Sequence, residues 1–199
     1  MSEPTAESTP PPVDKKTNKV ILIGVGAFIG TCVLLLVLGI VIGPNMGQSE
    51  PGFPINETPI RLEDGSQRVT LMTADKQAWV PYSLELGRIV PDGAMTDLRI
   101  RRYQFQIPRG ATDLGEGALT DAVLPPTPAW KMDSDLDGVL VNPAIERWYK
   151  YSYMSHLLSS KNHNYAIQLA SGKTAFVQVL SYYCEPEGSG CLTLNYRIQ

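Results

Sequence analysis

A chain of 199 residues with 17 Lys and Arg against 20 Asp and Glu carries a formal net charge of −3, so it lacks the basic surface by which nucleic-acid binders grip phosphates. Apolar residues make up 43% of it. Setting aside the polar, apolar and linker-like segments at the amino terminus leaves roughly 130 residues, an ordinary size for one domain.

Residues 1–19 are polar and proline-rich with no apolar period, and are expected to be disordered unless a partner orders them. Residues 20–43 come next as VILIGVGAFIGTCVLLLVLGIVIG, without a charge. At about 1.5 Å per residue a helix of this length crosses a hydrocarbon core of about 30 Å, so one transmembrane helix is expected. Lys15, Lys16 and Lys19 precede it, whereas the first charge beyond it is Glu50 and the first basic residue is Arg61. That asymmetry places the amino terminus in the cytoplasm and the remainder outside: a bacterial inner-membrane anchor with a periplasmic C-terminal domain. A cleaved signal peptide has an apolar core of about 7–15 residues ending at small residues; this run is longer and continues into GPNMGQSEP. Cys32 is preceded by Thr31 and followed by VLLLVLGIVIG, unlike a lipidation box. Gly26 with Gly30, and Gly39 with Gly43, have the G-x-x-x-G spacing that lets another helix approach closely. Glycine is common in membrane helices in any case. If the ridge is used, the partners are other membrane-protein subunits.

Residues 44–67, rich in Gly, Pro and Asn, read as a linker, and 68–199 as an exported, mostly β domain. RVTLMT (68–73), AWVPYSLELGRIV (78–90), DLRIRRYQFQI (97–107), YAIQLA (165–170), TAFVQVLSYY (174–183) and CLTLNYRI (191–198) alternate and are rich in β-branched and aromatic residues. Short punctuated strands of this kind suggest an antiparallel sandwich or barrel. In DLRIRRYQFQI the apolar phase shifts between Ile100 and Tyr103, which predicts a bulge or bend. Ser171-Gly172 reads as a tight hairpin turn, so the last three strands should form a meander. Cys184 and Cys191 bracket EPEGSG between two such strands, which brings them within reach of a disulfide. Such a bond lasts only outside the cytoplasm. Cys32 is left as a thiol.

In KMDSDLDGVL, Asp133, Asp135 and Asp137 stand at positions 1, 3 and 5 of a calcium-loop pattern with Gly138 at position 6. Position 12 is Ala144, Glu146 comes two residues late, and no flanking helices are evident, so a solvated acidic turn is the alternative. Arg99, Arg101 and Arg102 could grip an anion or lie along a solvated strand face. No phosphate loop or nucleophile elbow appears, and no reactive group stands beside an evident base, so an enzyme is not expected.

WVPYSLELGRIV, DLRIRRYQFQIPRGATDLGEGAL and RWYKYSYMSHLLSSKNHNYAIQLASGKTAFVQVLSYYCEPEGSGCLTLNYRIQ together resemble the three blocks of the HmuY-like family of haem-binding proteins. The likeness spans most of 68–199, and the final block is its most specific part. Thr96 stands where the family often has Trp, Pro108-Arg109-Gly110 replaces a more usual Asn-Gly-Gly, and Phe176 replaces Lys. The resemblance implies an all-β domain with a cleft for a flat ligand, often haem held by two histidines or two methionines. This chain has only His156 and His163. Met132, in the segment standing where one family ligand is carried, and Met154 with His156, on one face of a strand beginning at Trp148, are the haem-ligand candidates. Each also has an ordinary reading, the histidines as hydrogen-bonded or solvent-exposed groups and the methionines as core or rim fillers.

Two functions are compatible with these residues. The first and preferred one is a non-catalytic accessory subunit of a larger membrane complex, the exported domain bracing its outer surface. The second is a membrane-tethered haem-binding or haem-uptake protein. Haem and calcium are the two cofactors the residues bring into question.

Overall fold

The computed structural model describes residues 25, 28–37, 50–186 and 188–199. The chain divides into two units, 1–48 and 49–199. In the first, residues 28–37 are helical. Among the described residues no helix is long and apolar enough to cross a membrane. The ends of the expected span, with Gly26, Gly39 and Gly43, and the tail 1–19 lie outside the described residues. Gly30 faces open space, and Cys32 is an exposed free thiol.

Alternating apolar residues build the second unit, as the period of two along a strand requires. Its strands are β1 (Gly52–Phe53), β2 (Asn56–Arg61), β3 (Gln67–Met72), β4 (Val80–Ser83), β5 (Arg88–Ile89), β6 (Leu98–Arg101), β7 (Gln104–Gln106), β8 (Ala111–Glu116), β9 (Ser134–Leu136), β10 (Val139–Val141), β11 (Tyr149–Tyr151), β12 (Leu158–Ser160), β13 (His163–Gln168), β14 (Thr174–Cys184) and β15 (Ser189–Ile198). A seven-stranded sheet runs β2-β3-β15-β14-β13-β8, with β1 added parallel to β14. A four-stranded sheet runs β5-β4-β6-β7, and β9-β10 and β11-β12 are separate hairpins. The expected meander is present as β13-β14-β15, all antiparallel.

Three expectations change. Residues 52–61, read as linker, supply β1 and β2 to the large sheet. The run 78–90 is a hairpin, β4-β5, because the chain reverses at Gly87 (φ +61) while Leu84, in the connection, remains 1% exposed and so keeps the strand-like alternation. The phase shift near Arg101 is a full reversal between β6 and β7, with Arg102 in the left-handed region at φ +55. Arg102 is held there from both sides, since its N–H donates to Thr73 O (2.6 Å) and its carbonyl accepts from Thr73 Oγ1 (2.7 Å).

One face of the large sheet packs on the small sheet. Tyr82, Leu98, Ile100 and Phe105 from the small sheet meet Val69, Tyr165, Ile167, Val177, Leu192 and Tyr196 from the large one, all nearly or fully buried. Burying each aliphatic or aromatic side chain of this size contributes about 1.5–3 kcal/mol. The opposite face is covered by the segment after β8: Leu119 and Ala122, with Leu124 and Trp130, pack on Ala166 and Phe176. Arg197 stacks over Phe176 (4.4 Å to the ring centre) and donates to Leu119 O and Ala122 O.

Cys184 and Cys191 form the expected disulfide across the β14–β15 connection, their Cα atoms 4.9 Å apart. Gly190 is required beside it: at φ +109, any Cβ would lie 2.6 Å from that of Ala74. Replacing both cysteines by serine removes the closure of a short loop, worth about 2–3 kcal/mol by chain entropy. Urea unfolding of the double variant should show that loss with the fold retained.

Burial pushes the phenols of Tyr82, Tyr165 and Tyr196 up, that of Tyr196 to about 12. The folded chain thus favours the neutral phenol. The contribution is whole below the ordinary tyrosine value of about 10 and is lost as pH climbs through the folded-state values. Urea midpoints should therefore fall steeply between about pH 10 and 12, with no change due to these groups between about pH 7 and 9.

Candidate functional site

The β11-β12 hairpin lies against the end of the two-sheet core. Trp148, 1% exposed, anchors it by donating from Nε1 to Tyr103 O (2.9 Å). From the other side, the Tyr183 hydroxyl accepts from Leu158 N (2.7 Å), and Ser160 Oγ donates to Val179 O (2.5 Å). Between hairpin and core opens a cleft of about 830 Å³, within the usual range for small-molecule sites.

Its wall is aromatic. Tyr103, Tyr149, Tyr151, Tyr153, Tyr182 and Tyr183 line it, with Leu158. Tyr103 meets Tyr149 edge-on at 5.4 Å between ring centres and Tyr182 at 5.9 Å, while Tyr151 meets Tyr153 at 5.1 Å. Tyrosines give a rigid apolar surface with a polar tip. Arg102, Arg147 and Lys161 line the same cleft against one acid, Glu146. Glu146 lies 3.5 Å from the exposed Arg147 guanidinium, and Lys161 Nζ donates to Arg147 O (2.7 Å). Burial pushes the Tyr149 phenol above its ordinary value, as it does that of Tyr183, where donation from Leu158 N acts the other way.

His156 also lines the cleft. It belongs to the turn between β11 and β12, at φ +57, and not to a strand. Its N–H donates to Ser152 O (2.8 Å), and its Nδ1 lies 2.5 Å from the Tyr151 hydroxyl. Met154 is 69% exposed in the same turn and does not line the cleft. Met132 does not line it and is 55% exposed beside the backbone bridge between Ala111 and Lys131, its segment packing on the opposite face of the large sheet. His163 starts β13 and pairs through Nδ1 with Asp113, 3.0 Å from either oxygen. Of the haem-ligand candidates only His156 reaches the cleft. As a seat for haem the donor set fits: one imidazole, accessible phenols, an aromatic wall and cations for carboxylates. The second nitrogen or thioether ligand that the resemblance implies is not brought in.

The three arginines part company. Arg99 pairs with Asp92 (2.7 Å), Arg101 stacks over Trp79 at 4.6 Å, and only Arg102 turns to the cleft. The acidic loop does not converge either. Both Asp133 oxygens accept from Ile107 N (2.8 and 3.0 Å), and one accepts from Asn142 Nδ2. Asp135 caps Gly138 N at 3.0 Å. Asp137 and Gly138, at φ +53 and +81, make the two-residue reversal of the β9-β10 hairpin. Among the described residues no group of three His, Cys, Asp or Glu side chains is placed to hold a metal. The spacing that resembled a calcium loop is that of an Asp-Gly hairpin. Asp133→Ala should cost about 1–3 kcal/mol by orphaning Ile107 N, and millimolar calcium should leave the wild-type melting temperature unchanged; a rise with concentration would restore the ion site.

The cleft tyrosines come from three separate segments, so no single spacing in the sequence joins them, although Tyr149, Tyr151 and Tyr153 alternate within one. Their density in RWYKYSYM and SYY was the one visible cue.

No family model matches the chain, and no curated protein matches it. Solved structures do. A protein of Bacteroides vulgatus described as HmuY-like and haem-binding is 18% identical with a TM-score of 0.56, covering 71% of this chain and 97% of that one. A protein of Bacteroides fragilis described as a lipoprotein is 18% identical with a TM-score of 0.53, covering 69% and 93%. The apo form of an HmuY analogue from Tannerella forsythia is 14% identical with a TM-score of 0.55, covering 67% and 95%. At these identities the likeness is one of fold: the β-rich unit of this chain has the fold of these HmuY-like structures.

Proposed function

We propose that the chain is a non-catalytic binding protein whose tyrosine-lined cleft takes haem, tethered to a bacterial inner membrane by the apolar run 20–43 with the β domain in the periplasm. The observation that carries the reading is the position of His156 in a cleft walled by tyrosines and edged by Arg102, Arg147 and Lys161. The solved neighbours described as haem-binding or as an HmuY analogue support the choice of ligand. Haem would supply an iron that takes axial ligands and a flat ring. The chain's part is to hold them. Tyr103, Tyr149 and Tyr182 offer apolar ring surface; Arg102 and Lys161 would meet carboxylates; His156 and Tyr151 are the groups that would be offered to the iron. The disulfide agrees with an oxidising compartment.

A second reading, the accessory subunit, has its own support in Ile60 on β2 and Ile89 on β5, which are 47% and 41% exposed where the two sheets adjoin. A partner protein retained on purification in mild detergent, together with no haem uptake, would favour it.

Haemin titrated into the purified full chain in mild detergent should give a Soret change that saturates at one equivalent above the detergent blank. Reversing Arg102 and Lys161 to Glu should weaken binding by about tenfold, from the loss of roughly 1 kcal/mol or less at each charge. Absence of a saturable one-to-one change would end the proposal.

A further inference from the structure

We infer that the cleft recognises the macrocycle and its two carboxylates, not the iron, so that its ligand class is the flat tetrapyrrole dicarboxylic acid with or without a metal. The inference rests on the haem-binding reading above and names what that site selects. Two cations carry it. Arg102 and Lys161 line the cleft and are half-buried. Among the described residues neither has an ion-pair partner, because Glu146, the one acid lining the cleft, lies against the Arg147 guanidinium. The Arg102 guanidinium lies over the Tyr103 ring, 5.5 Å from its centre, and Lys161 Nζ donates to Arg147 O (2.7 Å). Both therefore keep a full charge beside an aromatic wall. Two such charges are matched by one ligand that brings two carboxylates to an apolar ring system. A metal-free porphyrin dicarboxylic acid carries two negative charges, and a ferric ion at its centre leaves a total of one. The lining matches the metal-free form at least as well as the ferric one.

The ring surface is set in advance in the same way for both forms. Tyr103 stands edge-on to Tyr149 and to Tyr182, and Tyr149 stands edge-on to Trp148 at 5.4 Å between ring centres. Rings braced by their neighbours lose little freedom when a flat ligand packs on them. Provision for the metal is smaller. His163, Met132 and Met154 do not line the cleft, and His156 does so from a turn, with Nδ1 2.5 Å from the Tyr151 hydroxyl. One nitrogen remains to that imidazole, and side chains on turns are positioned less closely than those on strands. An axial bond from it adds to the affinity for haem without deciding what the cleft admits.

The test uses the full chain in mild detergent with three probes: haemin, metal-free protoporphyrin IX and the dimethyl ester of the latter, each titrated against a detergent blank. The free acid should saturate at one equivalent with an affinity within about tenfold of that for haemin, and haemin should displace it. The ester keeps the macrocycle and loses both charges, and should bind about tenfold more weakly than the free acid. His156→Asn, which tolerates the left-handed backbone at 156, should weaken haemin binding and leave that of the free acid unchanged. Saturable haemin uptake with free-acid binding more than about tenfold weaker overturns the inference and leaves the haem reading intact. So does an ester that binds as well as the free acid. Uptake of neither haemin nor the free acid overturns both readings together.

Discussion

The buried carboxylate of Asp97 is the tie on which the two-sheet arrangement depends. It is 0% exposed, and its oxygens accept from Ser83 Oγ (3.0 Å), Leu84 N (2.9 Å) and Ala170 N (2.9 Å). The first two belong to the small sheet and the turn that leaves it, the third to the connection between β13 and β14. An unpaired buried charge is prohibitively costly, so the sheets come together only in the arrangement that supplies all three donors. Hydrogen bonds to a charged group are worth about 1.5–3 kcal/mol each, more than neutral ones. Arg109 reinforces the same corner by donating to Thr96 O (2.8 Å) and Ala94 O (2.5 Å).

With that corner closed, the opposite corner is closed by the pair of bonds between Thr73 and Arg102. The same left-handed turn that completes those bonds lines the cleft with Arg102 and Tyr103. Fold and site therefore share one local device. The β11-β12 hairpin is then laid across the gap by Trp148 on one side and Tyr183 on the other. A cleft remains because rings fixed at their bases cannot collapse into it, and because a tyrosine has few rotatable bonds to lose when ordered.

Where the sequence was readable, the determining forces were short-range. The β13-β14-β15 meander arises from alternation and from a Ser-Gly turn, and the disulfide from two cysteines on neighbouring strands seven residues apart. Where it misled, long-range contacts had taken over a local pattern. Leu84 keeps the alternation across a reversal because Asp97 holds its N–H inside the core. The Asp133, Asp135 and Asp137 spacing resembled a cation loop, but Ile107 N and Asn142 satisfy the first carboxylate and an Asp-Gly turn uses the last. Residues 52–61 have little strand signature, and join the sheet because β14 and β3 offer open edges to pair with.

The amino-acid sequence by itself determined the apolar run 20–43, the β character of residues 68–199, the closing meander with its disulfide, and the resemblance to HmuY-like proteins. These depend on period, composition and neighbours within a few residues. Only the tertiary structure decided the cleft. Tyr103, Tyr149, Tyr151, Tyr182 and Tyr183 come from three segments, and their meeting is a sum of strand registers, two reversals and the buried Asp97 tie. It also decided that His156, and neither Met132 nor His163, shares that space. The segment carrying Met132 buries Leu119 and Ala122 on the far face of the large sheet, with Leu124 and Trp130 packed beside them.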